Sequence, residues 1–220
     1  IKPSTLYLAI DGVPPRAKIH LQRLRRYHKL ALQAEKDRLY KKYDRQVINE
    51  WDTSQFTPGT VFMQKLHLAL EKAIKNGVFE CETVIYSGHL EPGEGEHKWN
   101  KYLRSLSAQS VCFRSNDGDL IVLGNQFPQH DVYILTTLDE VKVYVHINQM
   151  QDDLIRKYRL PLNLKNKIMN DYVFFINFCG NDFVKAFPFN SMRHRGAFDF
   201  VMKTYGNILK TTKQHLIEDG

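Results

Sequence analysis

The chain has 220 residues, 43% of them apolar, which is the level of a folded globular protein and excludes a disordered chain. Lys and Arg number 31 against 24 Asp and Glu, a net charge of +7 that points faintly to a polyanion partner. Three widely spaced cysteines, Cys81, Cys112 and Cys179, exclude a disulfide framework or a paired-cysteine zinc site, and read as small core residues. No apolar run reaches the length of a membrane span; Tyr172 to Cys179 is the longest candidate and contains Asn177. No signal peptide is expected, since Asp11 interrupts the first apolar stretch, and with Ile1 rather than Met at the start, residues upstream are expected.

Leu6 to Ile10 reads as a buried strand ending at Asp11-Gly12. A long exposed helix is expected from about Arg16 to about Ile48, with Pro14 and Pro15 where a helix begins. Thr57 or Thr60 then caps a helix with apolar residues at Phe62, Met63, Leu66, Leu70, Ala73 and Ile74, ending at Gly77. Thr83 to Tyr86 is a strand, Gly88 to Gly95 a loop, and Glu96 to Leu106 a helix. Val111 to Phe113, Asp131 to Thr137 and Val141 to Ile147 follow as strands. Asn163 to Phe178 is expected as a helix broken at Gly180-Asn181, and Ala197 to Leu216 as a closing helix. Strands alternating with helices predict an α/β fold, a mainly parallel twisted sheet flanked by helices, in a single domain over 1–220.

The charge is concentrated. Between Arg16 and Arg45 lie eleven basic residues and only Glu35, Asp37 and Asp44 against them, an excess of +8 that leaves the remainder slightly acidic. Lys18, Gln22, Arg25, Arg26 and Lys29 recur at helical spacing and share one face. A cationic stripe near a helix N-terminus suits phosphate oxygens, although a merely solvated helix is the simpler reading. Acids gather after the predicted strands: Asp11, then Glu94 and Glu96, then Asp117 and Asp119. Ligands of open α/β sheets bind at those strand ends. Converging carboxylates require cations or raised pKa values, and hard oxygen donors select Mg²⁺ or Mn²⁺. Each acid also has a plain reading: a turn at Asp11-Gly12, helix-start acids at Glu94 and Glu96, a hairpin turn at Asp117-Gly118-Asp119. A phosphate site beside acids that bind divalent metal suggests phosphodiester hydrolysis, with two ions activating water and stabilising the leaving oxygen.

The segments YLAIDGVPPRAKIHLQRLRR (Tyr7–Arg26) and SGHLEPGEGEHKWNKYLR (Ser87–Arg104) closely resemble the signature of the XRN-type 5′→3′ exoribonucleases. FTPGTVFMQKL (Phe56–Leu66), NDGDLIVLG (Asn116–Gly124), FCGNDFVKAFP (Phe178–Pro188) and the closing GAFDFVMKTYGNILKTTKQHLIEDG follow in the family's order. The resemblance implies a PIN/FEN-like nuclease core with a long basic helix. It implies metal-binding, catalytic carboxylates at Asp11, Glu94, Glu96, Asp117, Asp119 and Asp182; the residues alone place Asp182 in a loop after a helix. It also implies that Lys18, Gln22, Arg25 and Arg26 form a pocket for the 5′-monophosphate of single-stranded RNA, which is cut to 5′-mononucleotides with Mg²⁺ or Mn²⁺, as two ions. A family segment upstream, with a further Asp and a base-stacking His, is expected to be missing. So is a second downstream region carrying a stacking aromatic, and several loops are shorter. The chain is thus expected to be a divergent or partial member. A degenerate relative serving as an RNA-binding or structural subunit is the alternative, and a structure-specific DNA nuclease is a third reading. Short loops point to the cytoplasmic rather than the nuclear type.

His97 reads as a positioning residue, and Lys98 as either a phosphate contact or a solvated lysine. Trp51 and Trp99 read as packing residues rather than base-stacking platforms. Arg193 and Arg195, flanking His194, read as a solvent-facing turn.

Overall fold

In the computed structural model, residues 2–47, 51–107, 109–182, 184–187 and 196–217 are described. Arg193, His194, Arg195 and Ile48 lie outside them, and the helix expected to reach about Ile48 already stops at Lys42. The chain divides into two compact units, Ile1–Leu103 and Arg104–Gly220.

The first unit opens with strand β1 (Thr5–Ala9) and helix α1 (Arg16–Lys42). Pro15 stands at the N-cap, where its missing N–H costs nothing, and Lys41 and Lys42 occupy the last turn, where cations suit the helix dipole. No residue of α1 is buried, and Leu24, Tyr27, Leu30 and Leu32 are all more than half exposed. The helix therefore stands without an apolar face packed into a core. Helix α2 (Val61–Lys75) is capped by Thr60, whose Oγ1 accepts the Met63 N–H, and ends before Gly77. Strand β2 (Thr83–Ser87) pairs with β1 in parallel, Thr5 opposite Thr83 and Ala9 opposite Ser87. The unit closes with α3 (Gly95–Leu103), where Tyr102 stacks on Tyr7 of β1 at 4.9 Å.

In the second unit, β3 (Ser110–Arg114) pairs in parallel with β4 (Asp131–Leu138) across the short helix α4 (Asp119–Gly124). Strand β5 (Val141–His146) pairs with β4 antiparallel. Asp139 and Glu140, between them, both have positive φ, 46° and 66°. That geometry suits the right-handed twist of a two-residue hairpin and sends the chain straight back. The expectation of one mainly parallel sheet is corrected accordingly. Among the described residues the strands form a two-stranded parallel sheet and a separate three-stranded mixed one. Helices α5 (Ile147–Tyr158), α6 (Lys165–Asn177) and α7 (Ala197–Thr212) follow. Helix α5 was not expected: its apolar residues recur at Ile147, Ile155 and Tyr158, but buried Gln151 interrupts them and bonds Asn125 at 3.0 Å. No described helix is long and apolar enough to cross a membrane. Cys112 is exposed and Cys81 and Cys179 are half-buried, so the expected core role of the cysteines is corrected as well.

The two units are buried differently. In the second, Ile155, Ile168, Met169, Phe175, Met202 and Leu209 form an apolar cluster. Asp171, fully buried, accepts from the Tyr205 hydroxyl and from the backbone N–H of Leu216 and Ile217, tying the chain end to α6. Burial, then the Asp171 carboxylate, push the Tyr205 phenol pKa far up. In the first unit the buried apolar residues among those described are Met63 and Leu103, whereas Ser87, His89, Glu94 and Lys98 are buried polar or charged groups. His89 is 4% exposed, and neither ring nitrogen has a hydrogen-bond partner. Burial holds its pKa below the usual histidine value, and neighbouring His67 and Lys98 add to the shift.

Asp171→Ala strips the acceptor from a buried hydroxyl and two amides, and should cost about 3 kcal/mol or more, read as a lower urea midpoint. A depressed His89 pKa means that the unfolded chain binds the proton more tightly. The stability this histidine contributes is present above its unfolded pKa, about 6.5, and is lost as pH falls below it. Thermal midpoints of the native chain should therefore drop more steeply between about pH 6.5 and 5 than those of His89→Gln; parallel profiles would contradict this.

Candidate active site

The site of the first unit is built where β1 and β2 end side by side. Past the strands the two segments stay bonded: Ile10 N–H donates to Ser87 O (2.9 Å), Gly12 N–H to Gly93 O (2.8 Å) and Gly93 N–H to Val13 O (2.9 Å). A Cβ on residue 12 would lie 1.7 Å from the Glu91 carbonyl oxygen, so only glycine permits the approach. Asp11-Gly12 is therefore more than the turn dipeptide of the plain reading. Lys98, on α3, sends its ammonium inward to Ile10 O and Gly88 O, both at 2.7 Å. It is 9% exposed, so it is neither a solvated lysine nor a phosphate contact, and it braces both strand ends together. Burial lowers its pKa, while Glu91 and Asp11 act to raise it.

That frame sets the acids. Asp11 Oδ1 accepts the Gly95 N–H at 2.7 Å, filling one of the unsatisfied amides of the α3 N-terminus. A Cβ on residue 95 would lie 3.2 Å from Ala9 O and 3.3 Å from Asp11 Oδ1, a tight fit that glycine avoids. The neighbouring Glu94 is 5% exposed. Its Oε2 lies 2.9 Å from Lys18 Nζ, and its Oε1 is buried with no hydrogen-bond partner. An orphaned, buried carboxylate oxygen is costly, and a hard divalent cation is the kind of group that would satisfy it. That oxygen is a hard donor of the kind Mg²⁺ or Mn²⁺ accepts, and it is a single donor. Glu96 follows, half-buried in the first turn of α3, with its Oε1 4.0 Å from His97 Nε2.

On α1, Lys18 reaches Glu94, and Gln22, Arg25 and Arg26 continue along the same side of the helix by spacing, out to about 12 Å beyond Lys18. Gln22 and Arg26 are half-buried and Arg25 is exposed. Lys29, the fifth residue of the stripe, donates instead to Thr53 Oγ1 in the 3₁₀ turn Thr53–Phe56. Trp51 packs edge-on against Phe56 and Phe62 yet remains 48% exposed.

In the second unit, the loop after β3 is held by its own side chains. Ser115 Oγ accepts the Asp117 N–H (3.1 Å), and Asp117 Oδ1 accepts the Asp119 N–H (3.0 Å), which starts α4. The hairpin reading of this segment is thereby corrected: an Asx turn leads into a helix. Both carboxylates are exposed. Asp182 sits half-buried in a bend after Gly180, in a loop closed by Asn181 N–H to Val184 O (2.9 Å) and Val184 N–H to Asn181 Oδ1 (2.8 Å). Among the described residues no three acid, histidine or cysteine side chains stand close enough together to hold one ion. The structure does bring Lys18, Asp11 and Glu94 to one strand-end site. The residues that sequence reasoning missed there are Gly12, Gly95 and His89. The dense run of glycines and charges in GHLEPGEGEHK was the available signal.

Residues 1–137 match the family described as XRN 5'-3' exonuclease N-terminus. Among its relatives, the chain is 29% identical to "5'-3' exoribonuclease 1" of Saccharomyces cerevisiae over 261 aligned positions, covering 100% of the chain and 17% of that protein. The Schizosaccharomyces pombe protein of the same name is 30% identical over 258 positions, 100% of the chain and 19% of the relative. The human one is 28% identical over 260 positions, 100% and 15%. These alignments are longer than the chain, so the relatives carry residues that this chain lacks, and the chain spans less than a fifth of their length. With well over half of its residues matching the family and full-length similarity to these exoribonucleases, the chain belongs to the XRN 5'-3' exonuclease family.

Proposed function

We propose that this chain is part of a nuclease that degrades 5′-monophosphorylated single-stranded RNA from the 5′ end, releasing 5′-mononucleotides with the help of Mg²⁺ or Mn²⁺, as two ions. The observation that carries this reading is Glu94: a buried carboxylate with one oxygen unfilled, next to a cationic helix. Lys18, Gln22, Arg25 and Arg26 bind the terminal phosphate, whose oxygens match the forked donors of arginine. A closed cationic pocket of this kind takes a monophosphate and excludes bulkier 5′ ends. In the first unit Asp11, Glu94 and Glu96 are the carboxylates that would hold a cation; in the second, Asp117, Asp119 and Asp182 are proposed as acids of the same kind. When bound, the cations would supply an activated water and charge stabilisation at the leaving oxygen. Asp11 enters that role already oriented by the Gly95 amide, on a strand end braced by Lys98. Positioning and electrostatics of this sort are the main means by which phosphodiester bonds are cut.

Removing one carboxylate, as Asp117→Ala, should lower Mg²⁺-dependent release of mononucleotides at least about a hundredfold, since even groups that only support metal ligands cost 10- to 100-fold when lost. RNA retention on a filter should persist. Binding without turnover in the native protein would favour the non-catalytic subunit instead. Arg25→Ala should weaken hydrolysis of 5′-phosphorylated RNA by about ten- to a hundredfold, the value of one charge-assisted contact, and leave 5′-hydroxyl RNA unchanged. Equal loss on both substrates would remove Arg25 from the phosphate pocket.

A further inference from the structure

Lys18 is drawn toward two places at once. Its ammonium lies 2.9 Å from Glu94 Oε2, with side-chain exposures of 12% and 6%. Its place on the α1 stripe, one turn before Gln22 and two before Arg25 and Arg26, is the one that the function proposed above gives to the phosphate. We propose that the Lys18–Glu94 pair is a latch: a 5′-phosphate binds well only once a divalent cation on Glu94 has released Lys18. This inference rests on the function proposed above and adds the coupling between its two subsites.

The coupling follows from charge balance in a site with little water around the carboxylate. Without a cation, Lys18 is the counter-charge that Glu94 holds, and the second carboxylate oxygen already lacks a partner. A phosphate that drew Lys18 away would leave a buried anion with no compensation, which is strongly disfavoured. It would also place a second anion beside the first. With a divalent cation on the carboxylate, both oxygens can be satisfied, and the ammonium is repelled by like charge. The lysine is the partner able to move. Glu94 is flanked by fixed backbone, Gly93 bonded to Val13 and Gly12, and Gly95 to Asp11, whereas Lys18 has a flexible four-carbon stem that can pivot on α1. Linkage makes the effect reciprocal: phosphate that retains Lys18 must also tighten the cation. Coupling of this kind between two sites is ordinarily five- to 150-fold.

The test uses the full chain, 5′-AMP as the phosphate probe with adenosine as its control, and Mn²⁺ as the spectroscopic cation. Titration calorimetry of the native protein should show AMP binding at least about fivefold tighter in saturating Mg²⁺ than in EDTA, with adenosine indifferent. Lys18→Met should bind Mn²⁺ more tightly than the native chain, by paramagnetic resonance, because the competing ammonium is gone. Its residual AMP affinity should no longer respond to Mg²⁺. If Mn²⁺ and AMP both bind the native chain but independently, the latch is overturned and the proposed function survives. It is equally overturned if Lys18→Met keeps the full Mg²⁺ response, since the cation would then be attracting phosphate directly. If neither probe binds the native chain, the proposed function fails and the latch with it. The native measurement requires no substitution, so a folding defect in the variant would not protect the proposal.

Discussion

The first unit depends on one close approach. Residues 10–13, leaving β1, run against the loop that leaves β2, and they touch so tightly that position 12 has no room for a side chain. Three backbone hydrogen bonds extend the two-strand ladder past its formal end, and the buried ammonium of Lys98 ties both carbonyl edges from behind. From this joint follow the placement of Asp11, the start of α3 at Gly95, and the burial of Glu94. A unit with so little apolar burial of its own has polar bonds at its centre. Such networks specify a geometry strongly when satisfied, and are costly where they are not. Among the described residues of this unit, Glu94 Oε1 and the two ring nitrogens of His89 are the buried polar atoms without a hydrogen-bond partner.

The charge distribution takes its meaning from that joint. Helix α1 carries its cations without a buried face, and its first turns lie where Lys18 can reach the acids. A cation stripe on an exposed helix is ordinarily solvated. Here its first member is nearly buried against a carboxylate, so that member is not simply solvated. The same stripe is not uniform, because Lys29 is tied to Thr53. The second unit is organised on different terms: an apolar cluster from α5, α6 and α7, locked by buried Asp171, with its candidate acids in side-chain-closed loops outside that cluster.

What the sequence determined by itself was local or periodic. Apolar runs bounded by glycine placed β1 and β2, the threonine cap placed α2, and 3.6-residue spacing placed Lys18, Gln22, Arg25 and Arg26 on one side of α1, because each of these depends on neighbours within a turn or two. The order of the motifs, too, was enough to indicate the family. The tertiary structure decided what depends on distant partners. It divided the strands between two sheets, and it turned β5 back on β4 through a hairpin whose Asp-Glu turn carries no usual sequence mark. It turned Lys98 inward, and made Gly12 and Gly95 points of contact rather than of flexibility. It paired Lys18 with Glu94 across 76 residues of chain, and so set a half-buried cation against a buried carboxylate. Charge in a sequence is only a count; its cost and its use are set by how much water remains around it, and burial is a property that only the folded chain possesses.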